Sequence, residues 1–360
     1  MTRINKHPNA KKHSYIRAAL YTLVFVAVVV GVTSVIGPSN SLQKIDDEVL
    51  NYRPALYSRH AQEQYHFFLN LPSKDIQFAR YFELLDQEDY AGLDSLFEDY
   101  NARLLKDIQV EWEFAQLFMA NPRSSLRYES QLDAWYRDSG STYAQLMKAS
   151  FHVNAGWIAR GSKTIGETSA SQISGMNEYH RMAISELQVI LELRPDLFPA
   201  YLLFLQLERS QGDLVPLKEL TEQVAARFPG SYHIARIMMK SYQPRWGGSL
   251  EEISSYYRDH IKPYENENKP LIRFRGYELS ERGWRALRSG QVKRCVNFYT
   301  EAMQWGIAPS DLGNRAWCLE ELNRTVQALD DIQLYLQLKE DEWARGQESY
   351  LIGRLKRQFE

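Results

Sequence analysis

The stretch GWIARGSKTIGE, residues 156–167, comes close to a phosphate-binding loop. Gly156 is followed by four residues and Gly161, but Ser162 intervenes before Lys163 and Thr164. Phosphate-loop chemistry needs a buried strand feeding a glycine turn whose N–H groups surround phosphate, then a helix carrying Lys and Ser or Thr. The residues ahead of Gly156 do not supply the strand. Tyr143, Leu146, Met147, Phe151, Ala155 and Ile158 recur at helical steps, and no apolar strand ending in Asp follows to hold magnesium. The NTPase reading is rejected, and Gly161 is read as a left-handed helix cap. The Ser-, Thr- and Gly-rich run 161–177 reads as a long loop, of a length that tends to be functional or disordered. It is either a tolerated insertion or a binding element anchored by Trp157 and Arg160. The planar fork of Arg160 suits a carboxylate, backbone carbonyls or a salt bridge to a neighbouring helix.

Other catalytic constellations are thin. The eight His are scattered, without metal-ligand spacing, and the pairs Glu251-Glu252 and Asp330-Asp331 read as solvated helix faces. No Ser stands in a nucleophile-elbow setting, so no catalysis, cofactor or metal is expected. Cys295 and Cys318 are too few for a disulfide framework. Packed helix axes lie ~8–10 Å apart, whereas a disulfide wants Cα atoms near ~5.5 Å, so two buried thiols are expected over a bond. In PRWGGS, residues 244–249, Ser249 and Glu252 form a capping box, and Trp246 is expected to wedge between helix pairs. With 43 basic and 45 acidic residues among 360, charge balance argues against nucleic-acid binding.

The elements that must position these residues are helical. From Ala18 to Gly37 the chain carries no charge, and ~20 apolar residues suffice to cross a bilayer. Arg3, Lys6, Lys11, Lys12 and Arg17 precede this run without an acidic residue, which puts the N-terminus in the cytoplasm and the bulk of the chain across the membrane. A cleaved signal peptide is the rival reading, with the same destination. The expected organisation is a basic tail (1–17), a transmembrane helix (18–37), a linker or stalk (38–74) and an all-α domain (75–360). In a Gram-negative cell the domain faces the periplasm.

Pro195, Pro229 and Pro263 lie thirty-four residues apart, each ending a stretch of apolar helical spacing. A helix–turn–helix–Pro period of this length resembles the tetratricopeptide repeat, with larger residues where that repeat has Ala. The pairs Leu271–Trp305 and Asp311–Leu338 follow with looser spacing. The elements GWIARG, ELQVILELRPDLFPAY and RFPGSYHIARIMMKSYQPRWGGS, in that order, are similar to a bacterial domain family of unassigned function, over roughly residues 78–261. That resemblance implies a tetratricopeptide-like α-solenoid and no activity. Solenoid grooves are lined from the first helices of each pair, which selects Tyr201, Glu208, Arg236, Lys240 and Arg285. The expected function is a membrane-anchored scaffold or adaptor in the cell envelope that binds a protein or peptide partner. Its candidate contacts are Trp157, Arg160, Tyr201, Arg236, Lys240 and Trp246. A glycan-binding or glycan-processing protein with an aromatic groove is the alternative.

Overall fold

Helices form here because the chain supplies apolar stripes at 3.6-residue spacing and side-chain oxygens at the points where helix N–H groups lack partners. The structure, a computed structural model, describes residues 57–71, 74–119, 126–211 and 214–359. The basic tail and apolar segment at 18–37 lie outside these residues. Among the described residues there is no strand, and no helix is long and apolar enough to cross a membrane.

Sixteen α-helices are described: α1 (Arg59–Leu69), α2 (Lys74–Asp86), α3 (Tyr90–Leu104), α4 (Glu111–Met119), α5 (Leu126–Ser139), α6 (Thr142–Arg160), α7 (Ala170–Leu193), α8 (Phe198–Gln211), α9 (Leu214–Arg227), α10 (Tyr232–Ser241), α11 (Leu250–Tyr256), α12 (Tyr277–Arg288), α13 (Val292–Ala302), α14 (Pro309–Glu321), α15 (Thr325–Leu338) and α16 (Glu342–Phe359). The proline spacing marks real boundaries. Pro195 and Pro229 bracket α8 and α9, while Pro229 and Pro263 bracket α10 and α11, the latter prolonged by a π-helical turn, Tyr257–Ile261. Further on, α12 pairs with α13 and α14 with α15, as the looser spacing predicts. Three helix pairs turn through the same device. Asp89, Gln291 and Arg324 donate their N–H groups back to Leu84, Ala286 and Leu319, around left-handed Glu88, Gly290 and Asn323.

Two apolar clusters make the core. One spans Phe78 to Tyr277 and is rich in rings, with Tyr81, Phe97, Phe114, Phe118 and Trp135 fully buried. The other joins α12–α16 to Tyr57, Ala61 and Tyr65. Part of the segment expected as linker is thus built into the domain. The Ser58 N–H bonds Gln304 Oε1 at 2.9 Å, Gln64 Oε1 accepts from Ile307 N–H at 2.9 Å, and Arg315 donates to the Tyr57 hydroxyl at 2.8 Å. Arg315 also makes a bidentate, buried pair with Asp331.

Three expectations need correction here. Asp330 and Asp331 are buried rather than on a solvated face, Asp331 against Arg315. Cys295 and Cys318 are not free thiols: they form a disulfide between α13 and α14, with Cα atoms 6.4 Å apart. Both residues are fully buried where α13 meets α14, and Cα atoms on facing stripes stand closer together than the helix axes do. The supposed loop 161–177 is also shorter than expected, because α7 starts at Ala170. Ser169 and Gln172 form a reciprocal capping box there, and the small residues beyond it belong to a close helix crossing. Gly175 faces Ala159, and Gly156 faces His180, whose ring lies 2.5 Å from where a Cβ would stand.

Candidate functional site

The near phosphate loop resolves into packing. Gly156 lies inside α6, and Gly161 ends that helix at φ 74°. Arg160 donates to the carbonyls of Gly161 (3.1 Å) and Lys163 (3.2 Å), closing the turn on itself. Trp157 lies edge-on to His180, ring centroids 5.2 Å apart. Burial pushes the His180 imidazole pKa down. Trp157 and Arg160 are therefore occupied in holding the α6–α7 hairpin. Tyr201 is likewise occupied, its ring on Phe228 and its hydroxyl on the Pro195 carbonyl at 3.2 Å.

Arg236 and Lys240 have a different setting. They lie on α10, whose start is held by a carboxylate from far away in sequence. Buried Glu111 accepts from Ser231 Oγ (2.5 Å), Tyr232 N–H (2.7 Å), His233 N–H (3.3 Å) and Asn268 Nδ2 (2.9 Å). A negative group at a helix N-terminus satisfies otherwise unpaired N–H donors and meets the positive end of the helix dipole. Burial nevertheless raises the Glu111 pKa to about 7, against the pull of these hydrogen bonds. This latch fixes α10 relative to α4 and to the 3-10 segment Lys269–Gly276.

From that start, His233, Arg236 and Lys240 follow at i, i+3 and i+7, a spacing that places them along one helix face. Arg209 reaches the same neighbourhood from α8, Arg273 from the 3-10 segment and Arg245 from the turn after α10. Lys240 registers them all: burial, then Arg236, Arg209, Arg273 and Arg245 in turn, depress its pKa to about 8. Burial and then Arg236 hold His233 down at about 3, so its ring is neutral, and burial followed by Arg236 lowers Arg209. Some of the cations are occupied. Arg273 donates to the Tyr232 hydroxyl at 2.8 Å. Arg245 bonds Gln243, lies 3.9 Å from buried Glu281 and stacks over Trp284. Arg209, Arg236 and Lys240 have no hydrogen-bond or ion-pair partner among the described residues. Arg236 Nε and both ring nitrogens of His233 are buried without one.

Trp246 departs from its expected role. It is not a wedge but 65% exposed, at the end of the 3-10 turn Pro244–Trp246. Left-handed Gly247 ends that turn, and Gly248 lies too close to the Tyr242 carbonyl to admit a Cβ. The glycines aim the indole outward, next to Arg245. Ser249 caps α11 through the Glu252 N–H at 3.1 Å, as expected.

The structure thus brings Arg236 and Lys240 together, with Trp246 following Arg245 in the adjoining turn, and leaves Trp157, Arg160 and Tyr201 elsewhere. Sequence reasoning missed Arg209, His233, Arg245 and Arg273. The first-helix rule came within one residue of Arg209 by selecting Glu208. Nothing in the local pattern marks Arg273, which arrives from a segment without regular periodicity. Comparison with known proteins returns no match among family models, curated proteins or solved structures.

Proposed function

We propose that this chain is a membrane-anchored adaptor of the cell envelope, an α-solenoid of tetratricopeptide-like helix pairs that binds a protein partner across the α8–α10 face. One observation carries the reading: Arg209, Arg236 and Lys240 stand together with no hydrogen-bond or ion-pair partner among the described residues. Holding like charges close together out of bulk water is unfavourable, and a partner that supplies negative charge relieves it. The thirty-four-residue proline spacing with a helix pair in each interval supports the solenoid. The basic-then-apolar N-terminus supports the anchor and its orientation. The Cys295–Cys318 bond fits an oxidising compartment. Exposed Trp246, next in sequence to Arg245, supplies the aromatic anchor that partner surfaces favour.

The test is site-specific photo-crosslinking from position 246 in intact cells. The expected result is a discrete adduct that disappears in the Arg236→Gln/Lys240→Gln variant while protein level and thermal stability persist. An adduct pattern indifferent to those two substitutions overturns the reading.

A further inference from the structure

The cations around Lys240 are more concentrated than a general acidic contact needs. Arg236 and Lys240 share one face of α10, and α8 and the 3-10 segment, which carry Arg209 and Arg273, pack against that helix. The turn after it carries Arg245, and each guanidinium opposes the Lys240 charge. A single carboxylate neutralises one positive charge and leaves the rest opposed to each other. Guanidinium forks and a lysine ammonium are the groups that hold phosphoryl oxygens, the former through paired N–H donors and the latter as a point charge. The buried atoms of this face are polar as well as cationic. Buried His233 has two ring nitrogens without partners, and Arg236 Nε is a buried donor without an acceptor. Buried polar atoms are nearly always paired in proteins, so unpaired ones clustered beside unneutralised charge point to a missing ligand.

We propose that Arg209, His233, Arg236 and Lys240 bind a multiply charged phosphate group, either free or esterified on a larger molecule. Arg209, Arg236 and Lys240 supply charge and donors, and the neutral ring of His233 donates one N–H. Arg273 stays on Tyr232 and adds field without leaving its hydrogen bond. Arg245 sits at the edge, shared with Gln243 and Glu281. This inference rests on taking the α8–α10 face as the binding surface.

Calorimetric titration of the full chain in neutral detergent tests it, with inorganic phosphate, pyrophosphate, glycerol phosphate and short-chain dihexanoyl phosphatidate, each against chloride at matched ionic strength. The expected result is saturable binding of at least one phosphate probe, weakened about tenfold or more by Arg236→Gln and again by Lys240→Gln, the loss that follows from removing a charge-assisted hydrogen bond. Tighter binding of phosphatidate than of the water-soluble probes assigns the source as lipid. The reverse order assigns a soluble phosphate, and both outcomes support the site. Val189→Ala, at an exposed apolar position of α7, removes no charge and leaves the affinity unchanged. Heats no different from chloride, or binding that survives the double Gln variant, overturn the proposal. A null titration alongside an adduct that still depends on Arg236 and Lys240 leaves the adaptor reading standing and removes only the phosphate.

Discussion

The α6–α7 hairpin and the α8–α10 face invert what motif reading expects of them. The hairpin carries Gly156, Gly161, Lys163 and Thr164 in an order that suggests phosphate chemistry, yet its distinctive residues are consumed by packing. Gly156 admits the His180 ring, Gly161 reverses the chain and Arg160 ties the turn. The α8–α10 face carries no recognisable motif, yet there three cations and the ring nitrogens of a buried imidazole have no hydrogen-bond or ion-pair partner among the described residues. Small residues at a crossing and small residues in a ligand loop look alike in one dimension. Buried atoms without a hydrogen-bond partner occur in both regions, Trp157 Nε1 and His180 Nε2 in the hairpin and Arg236 Nε and His233 on the α8–α10 face. What separates the two is that the latter adjoin unpaired cations.

The largest test of this contrast is Gly156→Val. A branched side chain placed 2.5 Å from the His180 ring and 3.2 Å from the Met176 carbonyl forces the helices apart. The expected loss is about 1–3 kcal/mol of stability, typical of overpacking, read by denaturant unfolding. Phosphate titration and crosslinking from position 246 remain intact in the folded fraction. A variant of wild-type stability removes the packing account of the motif.

The second test uses acid. His233 has a folded pKa of about 3 against an ordinary 6.5. The unfolded chain therefore holds a proton there that the native chain refuses, and stability falls as pH drops from about 6.5 toward 3. Glu111, raised from 4.5 to about 7, has the opposite sign: the native chain holds its proton first, so its contribution fades as pH rises through 7. Between about 4.5 and 6.5 the two oppose each other. His233→Gln deletes one of them. Relative to wild type, the variant gains stability as pH falls through that window, by at most about 1.4 kcal/mol per pH unit. Parallel stability–pH curves for the two proteins would count against a neutral, buried His233 beside Arg236.

Lys240→Met gives a smaller effect and a sharper distinction. In a face whose charge is balanced internally, removing a cation costs stability. Here it relieves repulsion from the neighbouring arginines, and the ligand-free protein is expected to gain about 1 kcal/mol while losing phosphate affinity. A loss of stability would show that Lys240 already has its counter-charge within the chain.

Much of the fold was legible because helix boundaries are local. Pro195, Pro229 and Pro263 each mark the end of a helix pair, and Ser249 caps the helix it was expected to cap. The failures are all matters of three-dimensional phase. The run after Gly161 reads as loop because small polar residues mark loops, whereas Ser169 caps a helix whose small face meets α6. The disulfide depended on how α13 and α14 are rotated about their axes. Arg236 and Lys240 were legible as first-helix groove candidates on one face of α10. Arg209 and Arg273 were not, because only the tertiary fold brings α8 and the 3-10 segment against α10. The Glu111 latch that orders this region spans more than a hundred residues of sequence and leaves no local trace.

Trp246→Ala is expected to change stability least of all and to bear most directly on function. An indole that is 65% exposed buries little apolar area in the free chain, so its removal stays within about 0.5 kcal/mol. The turn itself is fixed by Gly247, Gly248 and the Gln243 backbone, none of which needs the side chain. Loss of partner crosslinking from a neighbouring position, with unchanged melting and unchanged phosphate affinity, would assign the indole to protein contact and the cations to the anion. Coincident loss of phosphate affinity would merge the two into one site, with Trp246 forming a wall of it.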